Sequence, residues 1–323
     1  MNILVTGGAG YIGSHIVEKL VQFKKYKIFI LDDLSTGYRK LINKKTKFVR
    51  GSITNYSLVK KIINENNIQS IIHLAAKLNV TQSEKNKKKY YNTNIIGTKN
   101  IVSACKNSSV KNIILSSSCS IYGNVKGSVK EEIKPNPKSY YAYTKLMSEN
   151  LIKNYSRGYK FKYMILRYFN VAGASNSGKI GEINKSHDHL IKNIAIQSKK
   201  INPKIYIYGN DYLTKDGTCI RDYMHVSDLA SIHVKSLITL NKTKKSFILN
   251  CGYGRGYSVM QIAKIFKKIK KNLEIIISKR RPGDVAQVYS NIDKLKKILN
   301  WKPKYNDINK IILSSINWEK KLK

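Results

Sequence analysis

The chain has 323 residues, 42% of them hydrophobic and 24% charged, enough for one large domain or two lobes around a buried core. Its formal net charge is +41, but the excess is lysine spread along the whole length beside only eight arginines, a pattern of solvated lysine faces and not of a nucleic-acid-binding surface. No apolar run approaches the roughly 18 residues of a membrane span. A strand beginning near residue 2 leaves no room for a signal peptide, and Cys105, Cys119, Cys219 and Cys251 are too scattered for a zinc or redox motif. A reduced, cytoplasmic protein with no membrane or nucleic-acid partner is expected.

Ile3 to Val5 is an apolar run short enough for a buried strand, and it leads into Gly7, Gly10 and Gly13, three apart. The amphipathic stretch from Ile12 to Phe23 then reads as a helix. A strand running through glycines into a helix aims bare backbone amides and the positive helix end at whatever lies above the turn, which suits a pyrophosphate. Glycines also serve ordinary tight turns; the strand–turn–helix setting is what favours a nucleotide. Lys27 to Leu31 reads as a second strand, ending in Asp32 and Asp33. A carboxylate there accepts hydrogen bonds from ribose hydroxyls and repels a 2′-phosphate, which points to NAD rather than NADP.

Lys47 to Arg50 reads as a third strand, followed by a helix over Tyr56 to Asn66. Ser70 to Ala75 is a fourth, from which a long helical stretch runs to about Cys105, and Lys111 to Ser117 is a fifth. The alternation argues for an α/β fold, a doubly wound parallel-sheet Rossmann domain over residues 1–170. Beyond it the pattern loosens. Loops fall around 173–186 and 210–218, strand-like pieces at Lys204–Tyr208, Phe247–Asn250 and Glu274–Ile277, and helices near 188–200, 226–240 and 258–270. Residues 171–323 are expected to form mainly a smaller mixed α/β lobe for the substrate, with some chain returning to the first domain.

Two stretches carry chemistry. The fifth strand ends in Ser116, Ser117 and Ser118, at the sheet edge where ligands bind in such folds. Tyr141 and Lys145 then open a helix, four residues apart and on one face. A phenol with a pKa near 10 is a poor base at neutral pH. An ammonium about 4 Å away, at an effective dielectric near 20, attracts a phenolate by roughly 4 kcal/mol, an upper bound of about three pKa units. Lys145 is therefore expected to bring Tyr141 towards physiological pH, and a serine facing the tyrosine could hold a substrate alcohol and pass its proton.

Thr6-Gly-Gly-Ala-Gly-Tyr-Ile-Gly13, Leu31–Leu34, His73-Leu-Ala-Ala76, Asn94–Thr98, Ser116–Ser118 and Tyr141-x-x-x-Lys145 resemble the extended short-chain dehydrogenase/reductases. Leu166–Asn170, Gly209–Tyr212, Asp216–Val226 and Arg280–Asp284 narrow the resemblance to the UDP-glucose 4-epimerases, from residue 2 to about 303. The resemblance implies that Tyr141 is the base at the sugar 4-hydroxyl, that Lys145 lowers its pKa and binds the nicotinamide ribose, and that Ser118 orients the hydroxyl. NAD would be held by Gly7, Gly10, Tyr11, Ile12, Gly13, Asp32, Asp33, Leu74, Ala75, Asn94, Lys145 and Phe169. The nucleotide sugar would meet Ser118, Tyr141, Asn170, His189, Leu190, Tyr206, Ile207, Tyr208, Arg221, Arg281, Asp284 and Val288. Arg221 and Arg281 suit a diphosphate, because guanidinium groups bind phosphate oxygens in a fork, and Tyr208 would offer uracil an aromatic face. The family implies a homodimer, galactose metabolism and no metal; His187 and His189 lack the carboxylates or thiols of a metal cluster.

The chain departs from the family in places. Ser52 follows Gly51 where an aspartate is usual, Lys77-Leu-Asn79 replaces Ala-Leu-Lys, Ala142 stands for a glycine and Lys192 for a proline. Val288 is small where relatives carry either a tyrosine or a small residue, which implies room for an N-acetyl group. A nucleotide-sugar 4,6-dehydratase is disfavoured because Ser118-Cys-Ser120 offers no carboxylate. Another nucleotide-sugar 4-epimerase or a decarboxylase stays open, and a non-catalytic NAD-binding scaffold with a basic surface is the reading from a different class.

Overall fold

The computed structural model describes residues 1–183, 189–281 and 284–322. In the first half the chain runs through β1 (Asn2–Thr6), α1 (Tyr11–Leu20), β2 (Lys27–Asp32), β3 (Lys47–Arg50), α2 (Tyr56–Glu65) and β4 (Ser70–His73). It continues through α3 (Val80–Lys85), α4 (Lys87–Tyr90), α5 (Gly97–Ala104), β5 (Asn112–Ser118), β6 (Gly127–Val129), α6 (Tyr140–Tyr159) and β7 (Lys162–Tyr168). The second half carries β8 (Asn170–Ala172), α7 (Leu190–Gln197), β9 (Lys204–Tyr208), β10 (Ile220–Arg221), β11 (Tyr223–His225), α8 (Val226–Lys242) and β12 (Phe247–Cys251). Then come β13 (Tyr257–Ser258), α9 (Val259–Ile269), β14 (Glu274–Ser278), β15 (Gln287–Ser290), α10 (Asp293–Leu299) and α11 (Ile308–Lys321).

Seven strands form one parallel sheet in the order β12-β7-β5-β4-β1-β2-β3. Both faces of its inner strands are buried, which is why β1, β4 and the first part of β5 are nearly continuous apolar runs. In β1, Ile3 and Val5 enter the core shared with α1 and α8, while Leu4 enters the opposite core, shared with α2, α5 and α6. The strand order reverses between β1 and β4, the place where doubly wound sheets open a ligand crevice at their carboxyl ends. The expected α/β doubly wound fold is present.

Several boundaries differ from expectation. The first helix stops at Leu20 and turns through Gln22 and Phe23 instead of reaching Phe23 as helix. The long helix expected after β4 is broken: Asn79 caps α3 by accepting from Gln82 N, and Asn86 leaves helical geometry at φ −127°, ψ 47°. A π-helical turn over Tyr91–Ile96 then precedes α5.

The second half, joined by β6 of the first, builds a four-stranded mixed sheet, β13-β10-β15-β6, and forms the parallel pairs β8–β11 and β9–β14. Its core gathers residues of α7, α9, α11 and β9. β12 sits in the large sheet beside β7, and α8 packs against α1.

Candidate active site

The glycine turn is shaped by close backbone approach. Gly7 has φ +72°, and a Cβ on it would lie 2.8 Å from the backbone nitrogen of Ala75. One on Gly13 would lie 2.2 Å from the carbonyl oxygen of Gly7. Gly10 donates to that same carbonyl and precedes α1, whose first turn receives no side-chain cap. Tyr11 turns its hydroxyl away, onto the carbonyl of Gly173 at 2.6 Å, tying the turn to the loop after β8.

Asp32 ends β2 and accepts from the amides of Ala9 at 3.0 Å and Leu34 at 2.9 Å. Burial pushes its carboxyl up, and those two bonds oppose the shift. Asp33 accepts from Ser35 N and is exposed. Lys77 reaches from the loop after β4 to Ser35 Oγ at 2.8 Å. The same loop, which carries Leu74 and Ala75, is braced by Asn94: its amide accepts from Lys77 N and donates to Lys77 O and to Thr144 Oγ1 on α6. Asn94 thus joins the loop to α6 through its own side chain.

β5 and α6 meet at the sheet edge. Ser139 caps α6 by accepting from Ala142 N, and the amides of Tyr140 and Tyr141 donate to Glu84 and Ser83 of α3. Tyr141, Lys145 and Glu149 recur every four residues along α6. The phenol of Tyr141 faces the Ser118 hydroxyl; Lys145 Nζ donates to the Ser116 carbonyl at 2.8 Å; Ser117 Oγ donates to Glu149 at 2.6 Å. Glu149 in turn forms a two-pronged buried pair with Arg167 of β7, at 3.0 and 2.8 Å. The reading of the sequence missed Glu149 and Arg167, although the i, i+4 spacing from Lys145 was a usable signal.

The expected effect of Lys145 on Tyr141 needs correction. Burial pushes the phenol well above its ordinary value, and the bond from Ser118 is what opposes the rise. The ammonium is turned onto a strand carbonyl, and burial lowers it to about 8 against the pull of Glu149.

The second half faces this edge. Arg221 of β10 donates to Val285 O at 2.8 Å and pairs with Asp284 at 3.1 Å. Arg281 lies 3.9 Å over the ring of Tyr208, and Arg280 lies 4.1 Å over Tyr212 while bonded to Asp211. A cleft of about 320 Å³ opens beside Asp284, lined also by Lys126, Arg280 and Gln287. On β9 the period of two exposes Tyr206 and turns Ile207 into the core, so Ile207 has only backbone to offer a ligand. Phe169 is buried, and Asn170 holds Asp222 O through its backbone amide while its side chain is exposed. Val288 of β15 belongs to the apolar cluster of Ile121, Tyr122, Val129 and Phe169, against which Cys119 and Leu146 pack. His189 sits 3.3 Å from Glu182 and is followed by Leu190, the first residue of α7. Among the described residues no three His, Cys, Asp or Glu gather as metal ligands; His187 lies outside the described residues.

A model of the NAD dependent epimerase/dehydratase family matches residues 3–252. The chain belongs to this family. Among its curated members it is 38% identical to the UDP-glucose 4-epimerase of Lactobacillus helveticus, over 99% of this chain and 97% of that one. Family members of known structure superpose over nearly the whole length. The UDP-glucose 4-epimerase of Stenotrophomonas maltophila, crystallised with NAD and formylated UDP-arabinopyranose, gives a TM-score of 0.94 at 32% identity, covering 99% of this chain and 98% of that one. The UDP-Glc/GlcNAc 4-epimerase of Campylobacter jejuni gives 0.86 at 35% identity, covering 99% of each chain.

Proposed function

We propose that this protein is a UDP-glucose 4-epimerase, which interconverts UDP-glucose and UDP-galactose by transient oxidation at the sugar 4-position with bound NAD. The observation that carries the reading is Ser118 and Tyr141, with Lys145, gathered at the edge of the sheet whose first strand opens the glycine turn. That turn fits a dinucleotide. Only glycine is accommodated at Gly7 and Gly13, and beyond the Gly7 carbonyl the space at Gly10 is open. Asp32 has used two of its acceptor positions, leaving others for ribose hydroxyls. When bound, NAD supplies the hydride acceptor and, in its oxidised form, a positive charge that favours a phenolate nearby.

The protein's own groups do the rest. Tyr141 takes the proton of the 4-hydroxyl and later returns it. Ser118 donates to the phenolate, and Lys145 stands ready to hold a ribose hydroxyl. Arg221 and Arg281 grip the diphosphate, exchanging Asp284 and the Tyr208 ring for phosphate oxygens. Firm hold on the diphosphate with few contacts to the hexose lets the 4-keto sugar turn over and receive hydride on its other face. Incubating the purified protein with UDP-galactose and resolving the products, with protein-bound NAD measured alongside, tests this. A preparation that holds NAD yet forms no UDP-glucose would sink the reading.

Val288 extends the reading to UDP-N-acetylglucosamine and UDP-N-acetylgalactosamine, since its side chain is small and it shares an apolar cluster with Phe169 and with the turn that follows Ser118. Turnover of UDP-GalNAc is expected beside that of UDP-galactose, and Val288→Tyr should remove the first while leaving the second within a few-fold. No N-acetyl turnover by the wild type ends the extension. A cytoplasmic homodimer serving galactose metabolism is the setting that the resemblance supports, and four free thiols are consistent with a reducing compartment.

A further inference from the structure

Ser120 has no part in the reaction as described, yet both of its donors point at Ser118. Its hydroxyl donates to Ser118 Oγ at 2.9 Å, and its backbone amide donates to the same oxygen at 3.2 Å. A serine hydroxyl has one proton and two acceptor lone pairs. With both acceptor positions filled, the proton of Ser118 is left for the phenol oxygen that it faces.

We propose that Ser120 is a positioning residue that fixes Ser118 as a standing donor to Tyr141, so that the sugar 4-hydroxyl proton passes straight to the tyrosine oxygen and not through the serine. The inference rests on the epimerase reading above. In the step, the O–H bond of the sugar alcohol breaks and a phenol O–H bond forms. The hydride from carbon 4 goes to the nicotinamide dinucleotide, and Ser118 keeps its own proton throughout. The surroundings explain why such a donor matters. Cys119 from the turn, Tyr90 from α4 and Tyr168 from β7 face Tyr141 as groups that ionise to anions, while Lys145, the cation one turn along its own helix, is held by Ser116. Among these neighbours the Ser118 hydroxyl is the group that favours the phenolate.

The test compares wild-type holoenzyme with Tyr141→Phe, Ser120→Ala and Ser120→Thr, measuring kcat and KM for UDP-galactose from about pH 5 to pH 9. Ser120→Ala is expected to lower kcat roughly 10-fold at nearly unchanged KM and to move the acid limb of the kcat profile up by about one pH unit. Ser120→Thr, which keeps the hydroxyl, should restore both. Melting temperature and bound NAD establish that the variants fold; should Ser120→Ala not, Ser120→Cys, with its poorer donor, is read in the same way. A lowered kcat with an unmoved acid limb, or a full rate in Ser120→Ala, overturns the proposal, as does failure of threonine to restore the profile. An inactive wild type would instead defeat the epimerase reading itself, whereas an active wild type with an inactive Tyr141→Phe and untouched Ser120 variants defeats this inference alone.

Discussion

At the β5–α6 edge the charged groups are sealed: Lys145 is 4% exposed, Glu149 0% and Arg167 3%, and each has a fixed partner. In the second half Arg280, Arg281 and Asp284 stand at the surface, where Arg281 rests on a tyrosine ring and Arg221 bridges to Asp284. The contrast follows from what each region handles. On the proposed reading a proton moves at the first edge, and proton transfer rewards groups that are already aligned, since burial holds a rotamer that solvent would release. On the same reading a charged diphosphate enters and leaves at the second, and guanidinium groups near the surface exchange partners at little cost because surface ion pairs contribute only about 0–1 kcal/mol.

Replacing Tyr141 with Phe cuts deepest at the sealed edge. The rate of epimerisation should fall by roughly 10²–10⁴-fold while NAD remains bound, measured by product formation and by cofactor release. Arg167→Met attacks the same edge through stability, leaving Glu149 buried without its partner. A loss of roughly 3–5 kcal/mol is expected in denaturant unfolding, and an unchanged midpoint would show that the pair is not holding α6 to β7. Across the cleft, Arg281→Ala should raise KM for UDP-galactose roughly 10-fold and change kcat less, because the lost bonds are to the substrate in all its forms. If kcat fell as far as KM rose, the division between a chemical edge and a holding edge would break down.

Acid gives the gentlest probe. Burial lowers His15 and His233 to about 4 and His73 and His225 to about 3, and each stays neutral in the fold. These bases titrate near 6.5 once unfolded, so below that pH the unfolded chain binds more protons and stability falls as pH drops. Each contributes a loss of about 1.4 kcal/mol per pH unit between about 6.5 and its folded value. A melting temperature that held steady from pH 6.5 to 4 would contradict the burial assigned to them.

Much of the first sheet was legible because its strands are buried on both faces, so Ile28–Leu31 and Ile71–Ile72 stand out as apolar runs bounded by turn residues. β7 escaped for the opposite reason. Arg167 interrupts its apolar run, and nothing local says that a guanidinium there is buried against Glu149 from a helix 18 residues earlier. β10, β11, β13 and β15 escaped because strands of two to four residues are too short to show a period. The π turn at Tyr91–Ile96 was likewise hidden, since its residue types suit an ordinary helix; in the fold its Asn94 is tied to Lys77 and Thr144.

The sequence by itself determined the glycine turn, the carboxylate ending β2 and the spacing of Tyr141 and Lys145, because each is a local demand of backbone geometry or helical pitch. The direction in which Lys145 points, the pKa of the phenol, the inward turn of Ile207 and the donors gathered on Ser118 were decided by the tertiary structure. Those properties depend on burial and on partners brought from distant segments. Glycines and a tyrosine four residues before a lysine announce an alcohol-oxidising site; which group carries the charge within it is settled only when β5, α3 and α6 pack together.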